Sequence, residues 1–383
     1  MTLKGKNRAE APFRFDHVGS FLRPTAIKNA RADFNDGKIS QAELTRIENT
    51  EITKVVKKQK EVGLKLATDG EFRRAYWHLD FFWGIGGIDH IYTPEAGFKF
   101  KGVNTKAETS RLSSKLYDSK HPFIEHFKFL KSVADKEGLV AKQTIPAPAR
   151  LYTILTNEIN EFSADHFYPN RQDLRNDIVK IYKSVIKDFY NAGLRYLQLD
   201  DTTWGNLAGS INDAKFSKSH FSNKDGDLKG KAKVYAELNN AVIDGLPKDL
   251  VVTTHVCKGN FQSTWTTSGG YDPIAEFLFT EKVKGFFLEY DDERSGDFQA
   301  LKHFPKGDVI LVLGIFTSKK GALEDKDVIL KRIEDATKFV NIEQIALSPQ
   351  CGFASTEEGN ILTEDEQWNK LKYIKSIVDE IWK

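Results

Sequence analysis

Residues 251–260 read VVTTHVCKGN and place His255 and Cys257 two positions apart at the end of a strand-like run. The chain has two cysteines, and the other, Cys351, lies far downstream in LSPQCGFAS. In an extended segment, residues i and i+2 point the same way, so His255 and Cys257 can face one ion. Imidazole and thiolate are ligand types suited to zinc. Free cysteine is also among the most buried residue types, so both thiols could instead fill core space.

The elements that would position these residues form a regular series. Eight strand-like stretches occur: FDHVGSF, LKLATDGE, LVAKQTIP, LRYLQLDD, DLVVTTHV, VKGFFLEY, DVILVLGIF and NIEQIALSPQ. Several are nearly continuous apolar runs, as expected of parallel strands covered on both faces. Helical patterns alternate with them. Ser40 and Glu43 have capping-box spacing ahead of the stripe Leu44, Ile47, Val55 and Val56. Ile178, Ile181, Tyr182, Val185 and Phe189 share one helical face, and Gly193 ends that helix. The expected fold is α/β, a TIM (β/α)8 barrel spanning residues 1–383 as a single catalytic domain. No G-x-G-x-x-G or Walker lysine favours a nucleotide-binding open sheet. A long insertion after the second strand, at about 72–139, carries the aromatic run YWHLDFFWGIGG and a hairpin around GFKFKGVNTKAE. An excursion of that length suits a lid or a substrate wall. The stretch KFSKSHFSNKDGDLKGK reads as a mobile loop.

In such a barrel the active site lies at the C-terminal ends of the strands. Gly19 and Ser20 follow the first candidate strand, and Asp69 and Glu71 the second. Thr144 ends the third, and Asp200 and Asp201 end the fourth. His255 and Cys257 end the fifth, Glu289 the sixth, Thr317 the seventh and Cys351 the eighth. His255, Cys257, Glu289 and Cys351 together make a tetrahedral donor set for zinc. A dication, two thiolates and a carboxylate sum to one net negative charge, which would keep a bound substrate sulfur electron-rich. Structural roles compete with each assignment. Glu289 could pair with Arg294, Asp200 and Asp201 could cap the next helix, and the DGE at Glu71 could be a turn.

The composition narrows the class. The 383 residues are 40% hydrophobic and 29% charged, with 56 basic and 54 acidic residues for a formal net charge of +2. This fits a soluble globular protein and leaves no electrostatic footprint for nucleic acid or a membrane surface. The N-terminal MTLKGKNRAEAPFRF lacks the apolar core of a signal peptide, and no apolar run approaches the roughly 18 residues of a membrane span. Two cysteines make no disulfide framework, so a reducing cytoplasm is expected.

The segments HVC at 255–257, LEYDDERSGDF at 288–298 and PQCGF at 349–353 resemble the zinc-site segments of cobalamin-independent methionine synthase. DHVGSFLRP, TDGEFRR and LQLDD resemble its homocysteine-binding segments. The resemblance runs in order through residues of about 13–380 and covers only the C-terminal catalytic barrel of that family. The chain looks most like its single-barrel relatives, often labelled methionine synthase II-like. The resemblance implies zinc held by His255, Cys257, Glu289 and Cys351. It also implies that Ser20, Glu71 and Asp200 bind the amino acid part of homocysteine, where a carboxylate would meet the substrate ammonium.

The seventh strand departs from the family. The synthase has an aspartate–histidine pair there, whose histidine delivers a proton to the folate leaving group. Here the stretch is LGIFTSKKGALED, with Thr317 and Ser318 and no histidine. No tryptophan can be placed where the family stacks its folate, since the third strand ends TIPAPARL. His17 and His78 are the substitute acids on offer. The expected activity is zinc-dependent methylation of a thiol, with homocysteine giving methionine and a donor that is 5-methyltetrahydrofolate or a simpler methyl compound. A methylated corrinoid or another donor protein would be a partner. The competing expectations are a thiol alkyltransferase of the same superfamily with a different acceptor, and a barrel that binds zinc and a thiol without turnover.

Overall fold

The computed structural model describes residues 3–94, 99–100, 103–210, 217 and 219–383. Seven strands form one curled sheet, parallel throughout and in chain order. They are β1 (Leu66–Ala67), β2 (Val140–Pro146), β3 (Tyr196–Asp201), β4 (Val251–Val256), β5 (Gly285–Glu289), β6 (Ile310–Phe316) and β7 (Ile345–Pro349). Every residue of β3, β5, β6 and β7 is buried, as the unbroken apolar runs require. Helices alternate with the strands. Gln41–Glu61 packs on β1, Phe123–Glu137 on β2 and Glu364–Ile381 on β7. Ser40 caps the first of these by accepting from the Glu43 N–H at 3.2 Å. Helix Arg171–Asn191 stops before Gly193, whose φ of 98° suits glycine.

The first candidate strand, FDHVGSF, is not a strand of this sheet. It runs beside β7 with a single parallel bridge, Phe15 to Leu347, and on the β1 side Thr68 Oγ1 donates to the Gly19 carbonyl at 2.6 Å. Asp16 gives the reason. Its carboxylate accepts from the backbone N–H groups of His17 (2.8 Å) and Phe13 (3.3 Å), diverting donors that a ladder would need. A buried ion pair anchors the segment inside the sheet. Lys142 Nζ lies 2.9 Å from Asp16 Oδ1, and Tyr196 donates to Asp16 Oδ2 at 2.8 Å. The second candidate, LKLATDGE, shortens to two residues because the Gln59 side chain takes both backbone groups of Thr68, each at 2.9 Å.

Between β1 and β2 the chain forms the short helix Leu79–Phe82 and an antiparallel ribbon pairing Gly86–Tyr92 with Glu108–Tyr117. Lys99–Phe100 pairs with Val103–Asn104 where a hairpin was expected, and residues 97, 98, 101 and 102 of that hairpin lie outside the described residues. The expected loop at 215–231 is cut short at its end. Residues 215, 216 and 218 lie outside the described residues, and helix Leu228–Ile243 already starts within the stretch, capped by Asp227 on the Gly230 N–H at 2.9 Å. Among the described residues, no helix is long and apolar enough to cross a membrane.

Candidate metal centre

The parallel register carries the sequence-distant ligand types to one place. His255 is the penultimate residue of β4 and lies beside Asp200 of β3. Glu289 is the last residue of β5, and Cys351 follows the end of β7. One donor atom from each of His255, Cys257, Glu289 and Cys351 lies within 4.8 Å of all the others, and all four residues are buried. The two sulfurs are 3.6 Å apart. Neighbouring backbone N–H groups orient the set: Gly259 donates to Cys257 Sγ at 3.3 Å and Lys258 to Glu289 Oε1 at 3.3 Å.

The donor set fits zinc on its own chemistry. Neither ring nitrogen of His255 nor Oε2 of Glu289 makes a hydrogen bond of standard geometry, although all three are buried. Such orphaned atoms are costly unless a ligand satisfies them. Burial pushes the Glu289 carboxyl up to about 7 against the opposing charge of Lys319. The thiols split. Cys257 is pushed well up by its hydrogen bond to Cys351 and by burial, while Cys351 is held well down by that bond and by His255.

Ser20, Glu71 and Asp200 line the same cavity as His255, Cys257 and Cys351, a space of about 820 Å³ partly open to solvent. Glu71 sits in a left-handed turn, with φ of 60°, in which its N–H is held by Asp69 Oδ1 at 2.9 Å. The DGE stretch is thus both a turn and a device that turns a carboxylate into the cavity. Glu71 Oε1 accepts from Thr144 Oγ1 at 2.7 Å and pairs with Arg74 at 3.2 Å, leaving Oε2 buried without a hydrogen bond. Asp200 accepts from Gln198 Nε2 at 2.7 Å, and burial raises its carboxyl to about 7. Ser20 depends on Gly352, where a Cβ would meet Ser20 Oγ at 1.9 Å.

Other strand-end residues take structural parts. Asp201 caps helix Thr202–Gly209 through the Thr203 N–H at 2.8 Å, as the capping alternative expected of it. Arg294 pairs with Asp291 and Asp292 rather than with Glu289. His17 does not line the cavity; its Nε2 lies 3.0 Å from Gln59 Oε1. Thr317 and Ser318 also stay outside the lining, with Ser318 Oγ donating to the Gly352 carbonyl at 3.0 Å. His78 does line the cavity, stacked on Trp77 with ring centroids 4.4 Å apart. Burial and the nearby Arg150 hold its pKa well below the ordinary imidazole value, so it stays neutral near pH 7.

Sequence reasoning missed Arg150, Asn260 and Lys319. Arg150 and Asn260 line the cavity, and Asn260 holds the loop after Cys351 by donating to the Gly352 carbonyl at 2.8 Å. Their signal was faint, since each sits just beyond a strand end in a stretch quoted for other residues. Tyr76 and Trp77 of the aromatic run after β1 line the cavity, as does Phe100.

Comparison with known proteins identifies the relatives of the chain. The family described as the cobalamin-independent synthase catalytic domain matches residues 15–93. The uncharacterized protein YxjG of Bacillus subtilis is 44% identical over 381 residues, covering 99% of this chain and 97% of that protein. The methionine synthase of Sulfurisphaera tokodaii is 24% identical over 341 residues, covering 88% of this chain and 84% of its own. A crystal structure of a candidate vitamin-B12 independent methionine synthase from Listeria monocytogenes is 39% identical, covers 98% of this chain and 100% of that one, and superposes with a TM-score of 0.75. The chain belongs to the cobalamin-independent methionine synthase family.

Proposed function

We propose that the protein is a zinc-dependent thiol S-methyltransferase that converts homocysteine to methionine within a single (β/α)8 barrel, the N-terminal segment acting as its eighth stave. The carrying observation is the convergence of four buried potential ligands within 4.8 Å, three of which line a cavity that Glu71 and Asp200 line as well. His255, Cys257, Glu289 and Cys351 would hold the ion. When bound there, zinc supplies a lowered thiol pKa and so a nucleophilic sulfur at neutral pH. Glu71 and Asp200 take the substrate ammonium, for which buried carboxylates are the fitting partners. Ser20 takes part at the same end of the amino acid. This grip fixes the sulfur relative to the incoming methyl group, and positioning of that kind is a large part of any two-substrate rate. Tyr76, Trp77 and Phe100 wall the same space, and we assign that wall to the methyl donor.

The methyl donor follows from what the site lacks. A folate amine leaves poorly unless protonated, and none of Thr317, Ser318 or His17 lines the cavity. His78 does, as a neutral ring, and His220 does too, but neither follows β6, where the family places its proton-delivering histidine. We therefore read the donor as one whose leaving group departs without a proton, such as a sulfonium or a methylated corrinoid. Incubating the zinc protein with homocysteine and each of methyltetrahydrofolate, a sulfonium and a methylcorrinoid, and measuring methionine, tests the assignment. Methionine from at least one donor is expected. None from any donor would overturn the methyltransferase reading in favour of thiol binding without turnover.

A further inference from the structure

Behind the ligand cluster, outside the cavity lining, lies a cation that the proposed chemistry has not used. Lys319 is 6% exposed, and its Nζ makes no hydrogen bond. Among the described residues its one ion pair is a long one, 3.7 Å to Asp291 Oδ2, and Arg294 lies 3.4 Å from the other oxygen of the same carboxylate. A buried ammonium with no hydrogen bond is expensive unless anions surround it.

The surroundings supply them. Lys319 follows Ser318, which is clamped to both flanks of Cys351: its N–H reaches Gln350 Oε1 at 2.5 Å and its hydroxyl the Gly352 carbonyl at 3.0 Å. Asp291 lies two residues beyond Glu289. Lys319 is therefore wedged between the segments that carry two of the four ligands. Its charge acts on Glu289, Cys257 and Cys351, and it is the strongest charged neighbour of Glu289. The other buried lysine nearby, Lys258, also acts on Glu289 and Cys257, but its ammonium is held by a hydrogen bond. Its Nζ donates to the Gly269 carbonyl at 2.6 Å and lies over the Tyr271 ring at 4.2 Å.

We propose that Lys319 is the counter-cation of the metal site and that its charge favours capture of the substrate as a thiolate. The inference rests on the zinc–thiol reading above. Two thiolates and a carboxylate around a dication carry one net negative charge, and an entering thiolate adds another. Loading the metal-free site is different. The ion brings two positive charges against at most two cysteine protons released, so these thiols leave the site no more negative and removal of a nearby ammonium does not weaken loading. Lys319 should then matter for thiol capture and hardly at all for metal content. It is a positioning residue that acts through the ligands rather than on substrate.

The test uses the full chain loaded with cobalt(II), titrated with homocysteine and followed by sulfur-to-cobalt absorption, for wild type, Lys319→Met and Lys319→Arg. The methionine variant should keep its cobalt and its thermal midpoint while binding homocysteine about tenfold more weakly, the effect of one partly screened charge. The arginine variant should bind near the wild-type level. A methionine variant with wild-type homocysteine affinity overturns the inference, and so does loss of cobalt from both variants. If the methionine variant fails to fold, the arginine variant decides: retained affinity supports the role of charge, and lost affinity refutes it. A wild type that takes up cobalt but gives no spectral response to homocysteine refutes the thiol reading itself, and this inference with it.

Discussion

Two buried acids, Glu289 and Glu281, look alike until their neighbours are compared. Burial raises Glu289 to about 7 and Glu281 to about 8. Glu281 Oε1 accepts from Asn239 Nδ2 at 2.7 Å and from Trp204 Nε1 at 2.9 Å, and the same Asn239 amide reaches Asp201 Oδ2 at 2.9 Å. Among the described residues, Glu289 Oε1 has a 3.3 Å contact from the Lys258 N–H, and the carboxylate faces two thiols and an imidazole, with the Lys319 charge nearby. An amide and an indole are poor metal ligands, whereas thiolate, imidazole and carboxylate together are good ones. A perturbed carboxyl therefore says little about function by itself. The donor types around it, and whether they are already satisfied, separate a structural network from a candidate centre.

The largest effect that could break this comparison is loss of the ion. Cys257→Ser or Cys351→Ser should reduce bound zinc from about one per chain to a small fraction and abolish methyl transfer, whereas Glu281→Gln should retain full zinc by elemental analysis. Retention of zinc by both cysteine variants would place the two regions in the same structural class.

Next comes the choice of donor. With no histidine after β6, where the family places its proton-delivering one, methyltetrahydrofolate should turn over about 100-fold to 10,000-fold more slowly than a sulfonium or methylcorrinoid, read as methionine formed per minute at saturating homocysteine. Rapid turnover with the folate alone would mean that a cavity group such as His78 gains a proton in the complex.

A smaller effect belongs to the amino acid pocket. Asp200→Asn and Glu71→Gln should each weaken homocysteine binding about 10-fold to 100-fold with zinc content unchanged, as for one lost charge-assisted contact. Unaltered affinity in both, measured calorimetrically, would remove these carboxylates from the site.

The smallest effect concerns stability alone. Because the folded protein holds the Glu281 proton more tightly than the unfolded chain, this group's contribution is present below its ordinary value of 4.5 and is lost as pH rises through about 8. Glu281→Gln should flatten that decline, by roughly a few kcal/mol across the interval in denaturant unfolding, and leave homocysteine binding alone. An unchanged pH slope would show that another buried acid of this network, such as Asp201, takes up the proton instead.

The sequence made the parallel strands legible because strands buried on both faces leave continuous apolar runs, as in ILVLGIF at 310–316. The ligand types were legible for a related reason: in a parallel sheet the residues at successive strand ends share one rim, so His255, Glu289 and Cys351 could be brought together on paper. What stayed hidden was side-chain diversion of the backbone. Asp16 and Gln59 take hydrogen bonds that would have extended the first two strands, and no periodicity reports that. Lys319 was hidden for a different reason. A lysine beside another lysine in TSKKG looks solvated, and only the packing of Ser318 against both flanks of Cys351 buries it.

The central claim is that His255, Cys257, Glu289 and Cys351 hold a zinc ion to which a substrate thiol comes. X-ray absorption at the zinc edge, recorded on the purified protein before and after homocysteine is added, addresses it most directly. The expected result is a first shell with two sulfur neighbours and lighter nitrogen or oxygen donors, which gains one sulfur when homocysteine is present. A shell without sulfur, or one that homocysteine leaves unchanged, would contradict the account.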